Sequence, residues 1–229
     1  MSCCTIVFAK NPVPNQVKTR LRPLLSPEGA ASLYRSFLVD WCNALSEIIA
    51  SDLVIAYTPP DGLRNLKTLI GGNAVYVPQG ESGLGDRLTA MSQWACEHGY
   101  DKFLIVGSDS PTLPIAYVDE AIELLDSREI VVGPSTDGGY YLIGFSKRGA
   151  ARAIPAIFEG IAWSTEHVFR RTLEKVDTAN AKLGLLPPWY DVDTPPDLQF
   201  LRDHLFAMRL AGCRAPIPRT ERELEKWLG

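Results

Sequence analysis

The stretch Phe103-Leu104-Ile105-Val106-Gly107-Ser108-Asp109-Ser110-Pro111 places an acidic residue directly after the most hydrophobic run of the chain. A short, continuous apolar run is typical of a strand that is buried on both faces of a parallel sheet. Ligands of open α/β sheets bind at the carboxyl ends of the strands. Asp109 is therefore predicted to lie at a ligand-binding edge, where its carboxylate suits a divalent cation such as Mg²⁺. The alternative is that Asp109 only caps the loop.

Further apolar runs alternate with segments of helical period, which predicts an α/β fold with helices on both faces of a mostly parallel sheet. The turn Asp137-Gly138-Gly139 is so short that the strands on either side of it are predicted to pair antiparallel. The predicted strands are 3–9, 53–57, 74–77, 103–107, 130–133, 139–144 and 183–186. The predicted helices begin at 27, 60, 84, 115, 164 and 195, and a last one follows a capping box of Thr220 and Glu223.

The length of 229 residues suits one domain spanning 1–229, with the C-terminal helices of 195–229 packed on it. The net charge of −4, and aromatic residues that do not interleave with basic ones, argue against nucleic acid as a partner. The amphipathic segment 219–228 fits packing on its own domain or on a second chain, so the sequence leaves the oligomeric state undecided.

The five cysteines form no CxxC motif, and their odd number favours a reduced, cytoplasmic protein. The three histidines are far apart in the sequence, which argues against a local zinc motif. No apolar stretch has the length of a membrane span.

A basic loop follows the first strand. Residues 1–27 contain no Asp or Glu, and Lys10, Lys18 and Arg20 lie close behind that strand. Ammonium and guanidinium groups, together with loop amides, cradle phosphates in proteins. We therefore predict that these three side chains bind phosphates and stabilise them electrostatically during reaction. An ordinary solvated loop is the alternative. Asn15 is expected to take a positive φ within it.

A second candidate segment, 79–87, places three glycines before a helix, which allows close backbone approach to a ligand at the helix N-terminus. We expect Gln79 and Arg87 in this segment, and Ser108 after the fourth strand, to contact a nucleotide. A flexible turn into an ordinary helix explains the glycines equally well.

Acidic residues also follow the later strands. Asp137 lies at a tight corner and is a candidate to orient or deprotonate an acceptor, although turn formation alone explains an Asp there. Asp191 and Asp193 share one face if their segment is extended, so either is placed to complete a metal site with Asp109. The alternative for both is helix N-terminal capping. The segment 163–165, which includes Trp163, is a candidate wall of the acceptor pocket.

These motifs occur in one order along the chain. They are 8–10 with Val17-Lys18-Thr19-Arg20-Leu21, then 107–111, then Asp137-Gly138-Gly139-Tyr140, then Asp191-Val192-Asp193-Thr194-Pro195. Over residues 3–200 this combination resembles the bacterial nucleotide-diphospho-sugar transferase-like family, also called radical-SAM/selenodomain-associated transferases. More distantly it is similar to molybdenum-cofactor and phospholactate guanylyltransferases.

The resemblance implies a single-domain, Rossmann-like glycosyltransferase-A fold with one reversed strand. It implies that Asp109 and Asp193 hold Mg²⁺ or Mn²⁺, that Lys10, Lys18 and Arg20 bind phosphates, and that Leu84 and Gly85 meet the base. Related nucleotidyltransferases often open with a glycine-rich loop, whereas this chain has a proline-rich one.

The sequence therefore predicts a metal-dependent transferase that uses a nucleotide and a small-molecule acceptor. Nucleotidyl transfer from a nucleoside triphosphate to a phosphorylated acceptor is favoured, because three cations suit a triphosphate. Glycosyl transfer from a nucleotide-sugar and non-catalytic nucleotide binding are the two alternatives.

Overall fold

One mixed sheet of seven strands forms the centre of the computed structural model, which describes residues 2–213 and 215–228. The strands lie in the order β3-β2-β1-β4-β6-β5-β7. Their bounds are β1 Cys3–Lys10, β2 Asp52–Thr58, β3 Val75–Pro78, β4 Lys102–Val106, β5 Ile130–Pro134, β6 Tyr140–Ser146 and β7 Leu183–Leu185.

β6 is the strand that runs against the others. It pairs antiparallel with both β4 and β5, whereas β1 pairs parallel with β2 and β4, β2 with β3, and β5 with β7. The mostly parallel mixed sheet, and the antiparallel pair joined by the Asp-Gly-Gly corner, are thus confirmed. The strand order changes direction between β1 and β4, which is where ligands bind in sheets of this kind.

The described residues also form eight α-helices. Helix α1 begins where the sequence predicts, because the Ser26 side chain accepts the N–H of Gly29. The bounds are α1 Pro27–Ser46, α2 Leu63–Ile70, α3 Leu84–Glu97, α4 Ile115–Leu124, α5 Lys147–Ala153, α6 Val168–Thr178, α7 Pro195–Leu210 and α8 Pro218–Leu228.

Two hydrophobic clusters cover the two faces of the sheet. Successive residues of a strand point to opposite faces, so Val7 and Leu104 belong to the cluster under α1, α4 and α7, whereas Ile6 and Ile105 belong to the cluster under α3 and α5. Every residue of β4 is buried, as expected for a strand that is covered on both sides.

Two local predictions need correction, and one helix was not predicted. Helix α6 begins at Val168 and not at Ser164, because Ser164 has a φ of 63°, which a right-handed helix does not allow. Helix α5 was not predicted. The capping box of Thr220 and Glu223 is wrong, because α8 already begins at Pro218.

The C-terminal helix α8 is attached to α1. The buried carboxylate of Asp40 accepts the backbone N–H groups of Arg219 at 3.3 Å and of Thr220 at 2.7 Å. The Trp227 ring covers Gly29 so closely that a Cβ atom there would lie 3.2 Å from it. Within the described ranges, no helix has both the length and the apolar character needed to cross a membrane.

Candidate active site

A cavity of about 730 Å³ opens at the carboxyl ends of the central strands. Its wall combines acidic side chains with apolar ones and one arginine. The residues that bear on its chemistry are Phe8, Arg20, Leu84, Ser108, Asp109, Asp137, Trp163, Ser164, Thr165, Glu166, Asp191 and Asp193. The cavity therefore lies at the edge where the sequence predicts a ligand.

A buried lysine joins the two aspartates that the resemblance assigns to a metal. The Lys18 ammonium lies 2.5 Å from Asp109 Oδ1 and 2.8 Å from Asp193 Oδ1, and it also donates to the Val192 carbonyl at 2.8 Å. Its side chain is 3% exposed, whereas each carboxylate is 41% exposed. Burial alone would lower the pKa of Lys18, but the two ion pairs raise it above its ordinary value.

The backbone of Lys18 takes the left-handed conformation, with φ 46° and ψ 38°. A residue other than glycine pays on the order of 1–2 kcal/mol for this conformation, and the ion pairs with Asp109 and Asp193 offset that cost. Asn15 in the same loop has a φ of 67°, as predicted.

A main-chain hydrogen bond joins the segment 191–193 to Asp109. The Val192 N–H donates to the Asp109 carbonyl at 2.9 Å, and the Val192 side chain is buried. Asp197 accepts the N–H groups of Asp193 and Thr194, in a capping box that begins α7. These contacts fix Asp193 beside Asp109 although 84 positions separate them in the sequence.

Asp191 takes a different position from Asp193. Its carboxylate accepts the hydroxyl of Ser110 and, at 2.7 Å, the hydroxyl of Ser135. Burial raises the pKa of Asp191 to about 6 and the nearby Asp109 and Asp137 add to this, while the two serines act in the opposite direction. Of the two alternatives that the sequence leaves open, Asp193 is the one that shares Lys18 with Asp109.

Helix α1 supports the loop that carries Asp109. The Tyr34 hydroxyl accepts the Lys10 N–H at 3.1 Å and lies 2.9 Å from Ser108 Oγ. Trp41 donates from Nε1 to the Gly107 carbonyl at 3.1 Å. Tyr34 was not predicted as part of the site, because its position in an amphipathic helix indicates only core packing.

At the Asp137-Gly138-Gly139 corner the Asp137 side chain is exposed, whereas Gly138 packs against segment 164–167. Asp137 Oδ1 accepts the Gly139 N–H at 2.9 Å, which is the turn-forming contact that the sequence also allows. Gly138 has a φ of 93°, and a Cβ atom there would lie 2.3 Å from the Glu166 carbonyl. Segment 164–167 thus packs directly on this corner and brings Glu166, which was not predicted, to the cavity.

The other predicted residues fall into two groups. Arg20, Leu84 and Ser108 line the cavity with Asp109, Asp137 and Asp193. Residues outside its lining make local contacts instead. Lys10 Nζ donates to Gln16 O at 2.8 Å, Gln79 Nε2 donates to Ala56 O at 2.5 Å, Arg87 Nε donates to Ser82 O at 2.7 Å, and Gly85 lies under Trp163.

Gly85 allows Trp163 to lie against the start of α3. A Cβ atom at this position would lie 2.7 Å from Trp163 Nε1 and 2.9 Å from the Phe158 carbonyl. Trp163 and the exposed Leu84 both line the cavity, so this wall offers apolar and aromatic surface.

The carboxylates of Asp109 and Asp193 fit a metal that is partly coordinated by its substrate. Each uses Oδ1 for Lys18, and Oδ2 of each has no protein partner among residues 2–213 and 215–228. The same residues contain no group of three His, Cys, Asp or Glu side chains arranged for a metal. Mg²⁺ commonly takes one or two carboxylates and completes its shell with phosphates and water.

Known proteins resemble this chain in sequence and in fold. The model of a family described as uncharacterized proteins conserved in bacteria (DUF2064) matches residues 42–165. A crystal structure from Desulfovibrio desulfuricans G20, assigned provisionally as a nucleotide-diphospho-sugar transferase, is 35% identical. The alignment covers 99% of this chain and 97% of that one, with a TM-score of 0.88.

Two further proteins extend the comparison. The 2-phospho-L-lactate guanylyltransferase of Methanocaldococcus vulcanius is 25% identical over 196 residues, which is 84% of this chain and 81% of that protein. The 4-diphosphocytidyl-2C-methyl-D-erythritol synthase of Anaerococcus prevotii is 13% identical, with a TM-score of 0.61 over 90% of this chain and 96% of that one. The latter likeness is one of fold.

Proposed function

We propose that this chain, which belongs to the DUF2064 family of bacterial proteins, transfers a nucleotidyl group from a nucleoside triphosphate to a small acceptor. The chain is a transferase, as its sequence relatives and its fold identify it. The observation that best supports nucleotidyl transfer is the pair of exposed carboxylates, Asp109 and Asp193, which are held together at the carboxyl ends of β1 and β4.

The reaction proposed is in-line displacement at the α-phosphorus. An acceptor oxygen forms a bond to that phosphorus, the bond to the β-phosphate oxygen breaks, and pyrophosphate leaves. Asp137, which is exposed and lines the cavity, would orient the acceptor and take its proton. Arg20 lines the same cavity and offers a guanidinium to the phosphates.

Asp109 and Asp193 would hold Mg²⁺ or Mn²⁺, and the cation would neutralise negative charge on the phosphates. Leu84 and Trp163 would pack against the base, because they supply the apolar wall of the cavity. The relative from Methanocaldococcus is named for a phosphorylated acceptor and a guanylyl donor, which supports a small phosphorylated acceptor and favours GTP as the first donor to test.

One observation favours a second candidate, glycosyl transfer. The structure from Desulfovibrio, which is 35% identical over almost the whole chain, is assigned to nucleotide-diphospho-sugar transfer. Such an enzyme would take a nucleotide-sugar and release a nucleoside diphosphate, whereas nucleotidyl transfer releases pyrophosphate.

A thermal-shift panel separates the donors. Each nucleoside triphosphate and each common nucleotide-sugar is added with Mg²⁺, with Mn²⁺ or with EDTA. Ligand at about 100 times its dissociation constant stabilises the folded protein by roughly 2.7 kcal/mol. We expect a metal-dependent shift with one triphosphate, and we expect Asp109→Asn to abolish it. A shift with nucleotide-sugars alone would favour glycosyl transfer. No shift with any nucleotide would contradict both candidates.

A further inference from the structure

The ammonium of Lys18 is fully engaged by the protein. It donates hydrogen bonds to Asp193 Oδ1 and to the Val192 carbonyl, and it forms an ion pair with Asp109 Oδ1. The rings of Tyr34 and Phe37 flank it, with centroids at 5.8 and 5.7 Å. A phosphate could bind this ammonium only by displacing one of these contacts.

The contacts of Lys18 set the net charge that Asp109 and Asp193 present to a cation. Two carboxylates would attract a free divalent cation strongly, but Lys18 neutralises one of the two charges and presents a fixed positive charge to any cation that approaches. Each carboxylate keeps Oδ2 for a further ligand, as described above. A cation that arrives with phosphates carries its own negative ligands and therefore meets less repulsion.

We propose that Lys18 is a resident counter-cation that keeps Asp109 and Asp193 from binding a free divalent metal, so that the metal enters as its nucleotide complex. This inference rests on the proposed function. It assigns Lys18 a positioning role in place of direct contact with phosphate. Lys18 both holds the carboxylates together and sets the order in which metal and nucleotide bind.

The size of the effect follows from the charges. The interaction of two unit charges about 4 Å apart in water changes a binding constant about fivefold, and a divalent cation squares this factor. Removal of the lysine charge should therefore tighten binding of free Mn²⁺ by at least about 30-fold, which corresponds to about 2 kcal/mol.

The test is titration of the nucleotide-free protein with Mn²⁺, followed by the electron paramagnetic resonance signal of unbound Mn²⁺. The variants are Lys18→Met and the matched control Lys102→Met. Lys102 is also buried, pairs with Asp126 at 2.6 Å and donates to the Ile122 carbonyl at 2.9 Å, but it is the first residue of β4 and so lies at the opposite, amino end of that strand. We expect tighter Mn²⁺ binding in Lys18→Met only. Equal Mn²⁺ affinity in the wild type and in folded Lys18→Met would overturn the inference.

A second measurement uses the wild type alone, so the inference remains testable if Lys18→Met does not fold. Mn²⁺ is titrated with and without a mixture of the four α,β-methylene nucleoside triphosphates. We expect Mn²⁺ to bind the mixture of protein and triphosphates at least tenfold more tightly than it binds the protein alone or the triphosphates alone. Equally tight binding without triphosphate would overturn the inference while leaving the proposed metal site intact. If no protein sample binds Mn²⁺, with or without triphosphate, the proposed function itself fails.

Discussion

Asp191→Asn should stabilise the metal-free protein at neutral pH. Burial raises the pKa of this carboxyl from its usual value near 4 to about 6. The folded state therefore keeps a proton that the unfolded chain releases between about pH 4 and 6. The stability that the protonated Asp191 carboxyl contributes to the folded state is fully present below about pH 4 and is lost as the pH rises to about 6. Above that pH, the wild type carries a buried, ionised carboxylate.

The magnitude follows from the proton affinities. A tenfold difference in proton affinity corresponds to about 1.4 kcal/mol. The raised pKa therefore lowers the stability of the wild type by about 3 kcal/mol at pH 7.5, where the folded state holds an ionised carboxylate, and by about 1 kcal/mol at pH 4.5, where the folded state keeps a proton that most unfolded chains have released. Asn carries no charge at either pH and can still bond to Ser110 and Ser135, so it should recover these amounts.

Urea unfolding in EDTA, at pH 4.5 and 7.5, measures the difference. The control is Asp119→Asn, whose side chain is exposed on α4, and which should change stability little at either pH. If Asp191→Asn gives the same change in unfolding free energy at both pH values, the burial argument is refuted.

Three further substitutions probe the frame of the site. Asp40→Ala should lower the unfolding free energy in urea by about 2 kcal/mol, because two N–H groups of α8 lose a charged acceptor; an unchanged midpoint would show that α8 does not depend on it. Tyr34→Phe should cost about 1–3 kcal/mol in the same assay, since the Lys10 N–H loses its acceptor, and full stability would argue against that support. Gly138→Ala should cost more than about 2 kcal/mol, because φ is 93° and the added Cβ meets Glu166. Gly72→Ala is the matched control, with nothing within 4 Å of the added Cβ, and an equal effect of the two would contradict the steric argument.

The fold is predictable from the sequence because its strands are short, continuous apolar runs. The run before Asp109 predicts both a central strand and the position of the acid at its carboxyl end, and the structure has both. The Asp-Gly-Gly corner predicts the reversed strand because only a tight antiparallel connection is that short. The start of α6 was misplaced because a left-handed Ser164 leaves no signal in hydrophobic periodicity.

The arrangement of the side chains in the site was harder to predict from the sequence than the fold. Three cations behind the first strand predict a phosphate loop, but side-chain direction separates them. Lys18 turns inward between two carboxylates, Arg20 lines the cavity, and Lys10 bonds to its own loop. Gln79 is buried against the backbone of β2, which its position in a glycine-rich turn does not indicate. The contact of Asp193 with Lys18 depends on main-chain pairing between residues 109 and 192, which no local pattern specifies.

The most direct test of nucleotidyl transfer is ³¹P NMR of the protein with Mg²⁺, a nucleoside triphosphate and a panel of small phosphorylated acceptors, beginning with GTP. We expect the resonance of pyrophosphate to grow together with that of a new nucleotidyl–acceptor linkage, and we expect neither with Asp109→Asn. Pyrophosphate and product formed equally by Asp109→Asn would contradict the role of Asp109. Turnover only of nucleotide-sugars, with release of nucleoside diphosphate, would contradict nucleotidyl transfer.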